Sequence, residues 1–139
     1  MNETAVIESM LQPGRHVAVL GVSWKPHRAS YRVAERLIQA GLRVTLVNPS
    51  LASTQLFDRP VYATLADAVD AEGPLDWVDV FRGVEHLPGI LDECLAVGAA
   101  GLWGQLEIID QAVAERAQSA GMSVVMDRCP AIEMNRLGR

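Results

Sequence analysis

"GVSWKPHRASYRVAERL", residues 21–37, follows directly on the apolar run HVAVL at residues 16–20. A short apolar strand that ends in Gly and leads into a helix is typical of the first βα turn of nucleotide-binding α/β domains, where phosphate lies at the helix N-terminus. The later glycines of the dinucleotide fingerprint are missing here, and Trp, Lys, Pro, His and Arg stand in their place. The stretch therefore predicts an anion-binding turn that relies on positive charge.

The distribution of charge along the chain supports this interpretation. The 139 residues carry a net charge of −5, with 12 basic and 17 acidic side chains. Residues 9–34 contain no acidic residue, but they contain four basic ones, namely Arg15, Lys25, Arg28 and Arg32. A positive field confined to one turn favours a small anionic ligand. The acidic balance of the whole chain argues against a nucleic-acid partner.

The apolar segments alternate with helical patterns along the whole chain. Five short runs predict strands at residues 16–20, 43–47, 77–81, 101–103 and 123–126, and three of the intervening helices end in Gly. Such alternation predicts a doubly wound, Rossmann-like parallel sheet with helices on both faces and right-handed crossovers. We expect five strands in the order 3-2-1-4-5, a loop at residues 50–59, and one domain over residues 1–139.

Composition excludes several other classes of protein. No apolar run is long enough for a membrane span, and Glu3 and Glu8 interrupt the N-terminal segment that a signal peptide would occupy. We therefore expect a soluble, cytoplasmic protein without a membrane partner. The two cysteines are too few for a disulfide framework, and the three histidines are too scattered to predict a metal site.

The carboxyl ends of the predicted strands share one rim, where open parallel sheets bind their ligands. We expect four basic side chains to gather there: Lys25, Arg28, Arg82 and Arg128. Ser30 is expected to be the N-cap residue of the helix that follows the turn. Asn48 stands where NAD enzymes usually have an acidic residue for the ribose, so NAD is disfavoured as the ligand.

Six segments together resemble a known family: GVSWKPHRASYRVAERL, VTLVNPS, VYATLADA, VDVFR, LWGQ and VVMDRCPAIE. They occur in the order expected of stand-alone CoA-binding domains, which are related to the nucleotide domain of the succinyl-CoA synthetase α subunit. The resemblance extends from about Arg15 to Leu137. It implies a Rossmann-like domain that binds coenzyme A. Our first hypothesis is therefore a module that binds CoA or an acyl-CoA as a carrier, sensor or regulatory domain. The catalytic phosphohistidine of the synthetase has no counterpart in this sequence, so no catalytic residue is implied.

The resemblance also implies where the ligand lies. The pyrophosphate would bind residues 21–31, the adenosine would lie near residues 48–49 and 80–82, and the pantetheine arm would extend toward residues 103–105. The implied binding residues are Gly21, Val22, Ser23, Lys25, Arg28, Ser30, Tyr31, Asn48, Pro49, Val80, Phe81, Arg82, Trp103 and Gln105. The sequence departs from the family pattern at Ala29, Gly83 and Gly104, where a Pro, a basic residue and a larger apolar residue are common.

Two classes of function remain open from the sequence. The first is the binding module just described, with unknown protein partners. The second is an enzyme, either a small nucleotide-dependent oxidoreductase or a redox protein that forms a mixed disulfide between CoA and Cys129. Cys129 follows the last predicted strand beside Arg128, and a neighbouring cation can lower the pKa of a thiol.

Overall fold

Residues 2–139 are described by a computed structural model, and Met1, the first residue of the predicted domain, lies outside it. The helices are α1 (Glu3–Met10), α2 (Ala29–Gln39), α3 (Leu65–Glu72), α4 (Leu87–Val97), α5 (Gln111–Ser119) and α6 (Pro130–Arg136). The strands are β1 (His16–Leu20), β2 (Arg43–Val47), β3 (Gln55–Leu56), β4 (Arg59–Tyr62), β5 (Trp77–Val80), β6 (Gly101–Gly104) and β7 (Ser123–Val125). Short 3₁₀ turns occupy Pro49–Leu51 and Val84–His86.

The strands form one sheet in the order β3-β4-β2-β1-β5-β6-β7. All neighbouring strands are parallel except β3, which pairs antiparallel with β4. The α/β class, the Rossmann-like parallel arrangement and the helices on both faces are therefore confirmed.

The predicted strand order is wrong. The third predicted strand, β5, lies beside β1, so the five predicted strands run in the order 2-1-3-4-5. The position expected for it beside β2 is occupied by β4, which begins where the sequence predicts the end of a loop. Two features make β4 difficult to recognise in the sequence. It has only four residues, and one of them is Pro60, which cannot donate a ladder hydrogen bond and is therefore typical of edge strands and strand ends. The correct order depends on this short strand, because β4 covers the free edge of β2.

Helices cover the sheet on both faces and form two apolar cores. One core contains buried side chains of α1, α2 and α6, such as Ile7, Leu37 and Met134. The other contains buried side chains of α3, α4 and α5, such as Leu65, Leu91 and Val113. The chain leaves β1 into α2 on the first face and leaves β5 into α4 on the second. This reversal between adjacent strands opens a crevice beyond their carboxyl ends, where doubly wound sheets bind ligands.

Candidate functional site

Gly21 makes the turn out of β1 and is required there for two reasons. Its φ of +91° lies in the left-handed region, which side chains other than that of glycine rarely adopt. A Cβ at this position would lie 2.8 Å from the carbonyl oxygen of Phe81, the first residue after β5. The backbone segments that follow β1 and β5 therefore approach each other closely at the base of the crevice.

The loop between β1 and α2 is held by two serine side chains. The backbone N–H of Ser23 donates to Oγ of Ser30 over 2.9 Å, and the N–H of Lys25 donates to Oγ of Ser23 over 3.1 Å. The expectation that Ser30 is the N-cap is wrong, because α2 begins at Ala29 and its N-cap is Arg28, which makes no side-chain cap bond. Ser30 is buried and instead anchors the preceding loop.

Replacing Ser30 by Ala should therefore loosen the loop and leave the N-cap of α2 unaffected. We expect a loss of about 1 kcal/mol in the free energy of unfolding, because the half-buried N–H of Ser23 loses its acceptor. The control is Ser119→Ala, at an exposed position at the end of α5, which should change stability by less than about 0.5 kcal/mol. Urea denaturation of both variants measures the difference. Equal stabilities would show that the Ser23–Ser30 bond does not hold the loop.

The rim carries fewer free cations than the sequence predicts. The side chains of Lys25, Arg28 and Arg82 are exposed, and none forms an ion pair with a carboxylate in residues 2–139. Arg128 is different, because its guanidinium lies 2.5 Å from Oε1 of Glu3 and is neutralised by it. Three of the four expected cations are thus left for an anion.

The loop and the start of α2 form a cavity of about 350 Å³ at the rim. Six of the predicted residues line it together with Ala29: Gly21, Ser23, Lys25, Arg28, Ser30 and Phe81. The first N–H groups of a helix have no intrahelical partner and carry partial positive charge. This loop cavity therefore combines backbone donors with two exposed cations.

A second cavity, of about 330 Å³, opens on the other side of Gly21 toward α3 and α4. Only two of its residues, Pro49 and Arg82, belong to the predicted set; the others are Leu20, Ala63, Thr64, Leu65, His86, Gly89, Ile90 and Glu93. Ala63 and Thr64 were missed because they follow β4, a strand that the sequence pattern does not predict. One local signal was present: Oγ1 of Thr64 accepts from the N–H of Asp67, the N-cap pattern of α3. We call this space the α3–α4 cavity.

Several of the remaining predicted residues lie beneath the rim surface. Val22 and Val80 are fully buried, and the ring of Tyr31 packs against Phe57 with 4.6 Å between ring centroids. The Asn48 side chain joins two loops, since its Nδ2 donates to the carbonyl of Val22 and its Oδ1 accepts from a backbone N–H. These positions support the site's framework, and their contacts with a ligand remain predictions.

Trp103 and Gln105 lie at and just beyond the end of β6. The Trp103 ring is fully buried, 5.2 Å from the ring of Trp77, and its Nε1 donates to the carbonyl of Arg128. The Nε2 of Gln105 donates to Oδ1 of Asp79, a buried residue of β5 that the sequence pattern does not single out. Burial raises the pKa of the Asp79 carboxyl well above its ordinary value.

The other titratable candidates lie apart from the rim or have structural roles. Burial lowers the pKa of His16, whose ring nitrogens lie 2.7 Å from Oγ1 of Thr45 and from the carbonyl of Pro74. Cys94 is buried, and this raises the pKa of its thiol to about 12. Cys129 is half-buried and packs against the first core.

The described residues contain neither a cluster of metal ligands nor a helix fit to span a membrane. Within residues 2–139, no three side chains of His, Cys, Asp or Glu come together as a metal site requires. The longest helices, α2 and α4, have 11 residues each, and no helix in this part of the chain is long and apolar enough to cross a membrane.

A doubly wound sheet with a basic turn at the start of α2 defines an α/β protein of the Rossmann-like architecture. Residues 15–135 match the CoA binding domain family, and the chain belongs to that family. The resemblance noted in the sequence is thereby confirmed. The match gives no support to an oxidoreductase or to a redox role for Cys129.

Two proteins from other organisms are similar to this chain over most of its length. YneT of Bacillus subtilis strain 168, an uncharacterized protein, is 31% identical over 126 residues, which are 90% of this chain and 89% of YneT. A solved structure from Thermus thermophilus is 34% identical, covers 99% of both chains and has a TM-score of 0.89.

A larger protein shares the fold. This is the dinucleotide forming acetyl-coenzyme A synthetase 1 of Ca. Korarchaeum cryptofilum, solved with phosphate and ADP. It is 22% identical and has a TM-score of 0.68 over 86% of this chain and 27% of its own length.

Proposed function

We propose that this protein binds coenzyme A or an acyl-CoA and acts as a carrier, sensor or regulatory module without catalysis of its own. The observation that carries the proposal is the arrangement of the rim. The β1–α2 loop carries exposed cations that form no ion pair within residues 2–139, and the α3–α4 cavity opens on the other side of Gly21. Together with the family match, this arrangement fits a ligand with a charged centre and a less polar end.

The two cavities suggest how the ligand lies. The diphosphate would occupy the loop cavity, where Lys25, Arg28 and the first N–H groups of α2 can contact it. The adenosine would enter the α3–α4 cavity between Pro49 and Ile90, with Arg82 at its edge. The pantetheine arm would then extend in the opposite direction, toward Gln105. CoA is long enough to occupy the loop cavity, the α3–α4 cavity and the region toward Gln105. A free phosphate would occupy only the loop cavity.

A residue-level test concerns Arg28. Replacing it by Ala should weaken CoA binding about 10- to 100-fold, the usual effect of losing a hydrogen bond to a charged group. Stability should change by less than about 0.5 kcal/mol, because Arg28 is exposed and has no carboxylate partner in the described chain. Isothermal titration calorimetry measures the affinity and thermal melting measures the stability.

Arg116→Ala is the matched control for this test. It makes the same change of charge in the last turn of α5, where Arg116 pairs with Asp92 over 2.7 Å. CoA affinity should stay within about twofold of the parent, since this pair lies outside both rim cavities and its charge is screened. An equal loss of affinity in both variants would show that only overall charge matters, and would remove Arg28 from the site.

Two broader expectations belong to the same proposal. We propose that residues 1–139 act as one CoA-binding unit. We also propose the cytoplasm as its location, since Cys94 and Cys129 are both free thiols and reducing compartments keep thiols in this state.

A further inference from the structure

Asp79 places a carboxyl group inside the sheet, at a position where apolar side chains are usual. It is fully buried, and its Cα lies opposite those of Val19 on β1 and Trp103 on β6. Oδ1 accepts a hydrogen bond from Nε2 of Gln105. Oδ2 is also buried and has no hydrogen-bond partner within residues 2–139. A buried polar atom without a partner is rare in native proteins, and it calls for a reason.

The Asp79–Gln105 pair lies beneath the floor of the crevice. Side chains alternate between the faces of a strand, so Asp79 shares its face with Phe81, two residues further along the chain. Phe81 lines the loop cavity. On β6 the same alternation places Gln105 on the face of Trp103, beyond the last residue of the strand. The pair therefore occupies the side of the crevice toward which the pantetheine arm would extend.

Asp79 determines which end of the Gln105 carboxamide is free. The two ends have nearly the same shape, but one donates hydrogen bonds and the other accepts them. Because Oδ1 of Asp79 takes a hydrogen from Nε2, the carboxamide is held by its donor end. Oε1 accepts no hydrogen bond from the described residues, and it is not among the fully buried atoms that lack a partner. An acceptor is thus left for a ligand.

We propose that Asp79 is a positioning residue for ligand recognition, which holds Gln105 so that its Oε1 accepts a hydrogen bond from an amide N–H of the pantetheine arm. This inference rests on the proposed function, because it assumes that CoA is bound with its arm toward β6. It gives Asp79 a role that neither packing nor ion pairing supplies.

Protonation of Asp79 is compatible with this role. Burial raises the pKa of its carboxyl, which favours the neutral form. A neutral carboxyl with its proton on Oδ2 would still accept a hydrogen bond at Oδ1. No negative charge would then lie beneath a bound anionic ligand.

The test compares CoA with adenosine 3′-phosphate 5′-diphosphate, the nucleotide half of CoA, which lacks the arm. Asp79→Ala should weaken CoA binding about 3- to 10-fold, the range expected for one hydrogen bond, and should leave affinity for the nucleotide half within about twofold. Gln105→Ala should show the same selective loss. Asp79→Asn retains an acceptor in the same shape and should restore CoA affinity.

The double variant separates positioning from a direct contact. If Asp79 acts only through Gln105, Asp79→Ala should cause no further loss of CoA affinity in a Gln105→Ala background. Additive losses would overturn the inference, and so would an equal loss for CoA and its nucleotide half, which would indicate a general structural effect. If Asp79→Ala does not fold, Gln105→Ala becomes the deciding variant. An unchanged ratio of its affinities for CoA and the nucleotide half would contradict the proposed contact between Gln105 and the arm, and with it the role of Asp79.

The parent protein separates this inference from the proposed function. If the parent binds CoA and the variants keep the parent's ratio of affinities for CoA and its nucleotide half, this result would overturn only the role of Asp79. A parent that binds neither CoA nor the nucleotide half would overturn the proposed function, and the role of Asp79 with it.

Discussion

CoA should raise the melting temperature of this protein most, dephospho-CoA less, and NAD least. All three ligands carry an adenosine diphosphate, but only CoA adds a 3′-phosphate to the charge that Lys25, Arg28 and Arg82 can neutralise. Asn48, the first residue after β2, offers no carboxylate to a free ribose diol. A ligand at one hundred times its dissociation constant stabilises the native state by about 2.7 kcal/mol, or roughly 5–10 °C for a protein of this size.

The shift in melting temperature is measured by thermal melts with each compound, at low and at high salt. Because the preference is attributed to charge, salt should narrow the difference between CoA and dephospho-CoA. The parent without ligand, melted at both salt concentrations, is the control for the effect of salt on stability itself. A larger shift with NAD than with CoA would contradict the proposed function.

Gly21→Ala should be among the most damaging small substitutions in this chain. The added methyl carbon would meet the Phe81 carbonyl oxygen at 2.8 Å, and the left-handed φ of +91° would be strained as well. Backbone strain and overpacking each cost about 1–3 kcal/mol, so the variant should lose about 2–6 kcal/mol of stability. CoA affinity should fall at least about tenfold, because the loops after β1 and β5 must move apart.

Gly14→Ala is a matched control for this variant. Its φ of +86° imposes a similar backbone strain, but a Cβ there would have no neighbour within 4 Å. We expect it to lose about 1–2 kcal/mol of stability and to keep its CoA affinity. Urea denaturation and calorimetry on both variants separate the two effects. If Gly21→Ala and Gly14→Ala lose the same stability, the contact between the added Cβ and the Phe81 carbonyl is relieved at little cost. Glycine would then be required at position 21 only for its positive φ.

The sequence alone determined the features that depend on neighbouring residues. Most residues of each predicted strand are apolar, and such runs can be recognised because a strand covered by helices on both faces has few polar positions. The turn at Gly21 is equally local, since the end of a strand, a glycine and the start of a helix follow one another in the chain. The concentration of basic residues at this turn is local as well, because Lys25, Arg28 and Arg32 belong to one short segment.

Only the tertiary structure decided the features that join residues far apart in the chain. The position of β5 beside β1 depends on β4, whose four residues with one Pro carry too weak a local pattern to be recognised as a strand. Arg128 is neutralised by Glu3, 125 positions away, and a charge count along the sequence cannot reveal that pairing.

The site shows the same division. The sequence identified the loop cavity because its lining comes mostly from one segment, residues 21–30. It missed most of the α3–α4 cavity, whose walls come from four separate parts of the chain. It also missed the bond from Gln105 to Asp79, which crosses from β5 to the end of β6. Local patterns fix strands, helices and turns, whereas strand order and side-chain pairing depend on which distant surfaces pack best together.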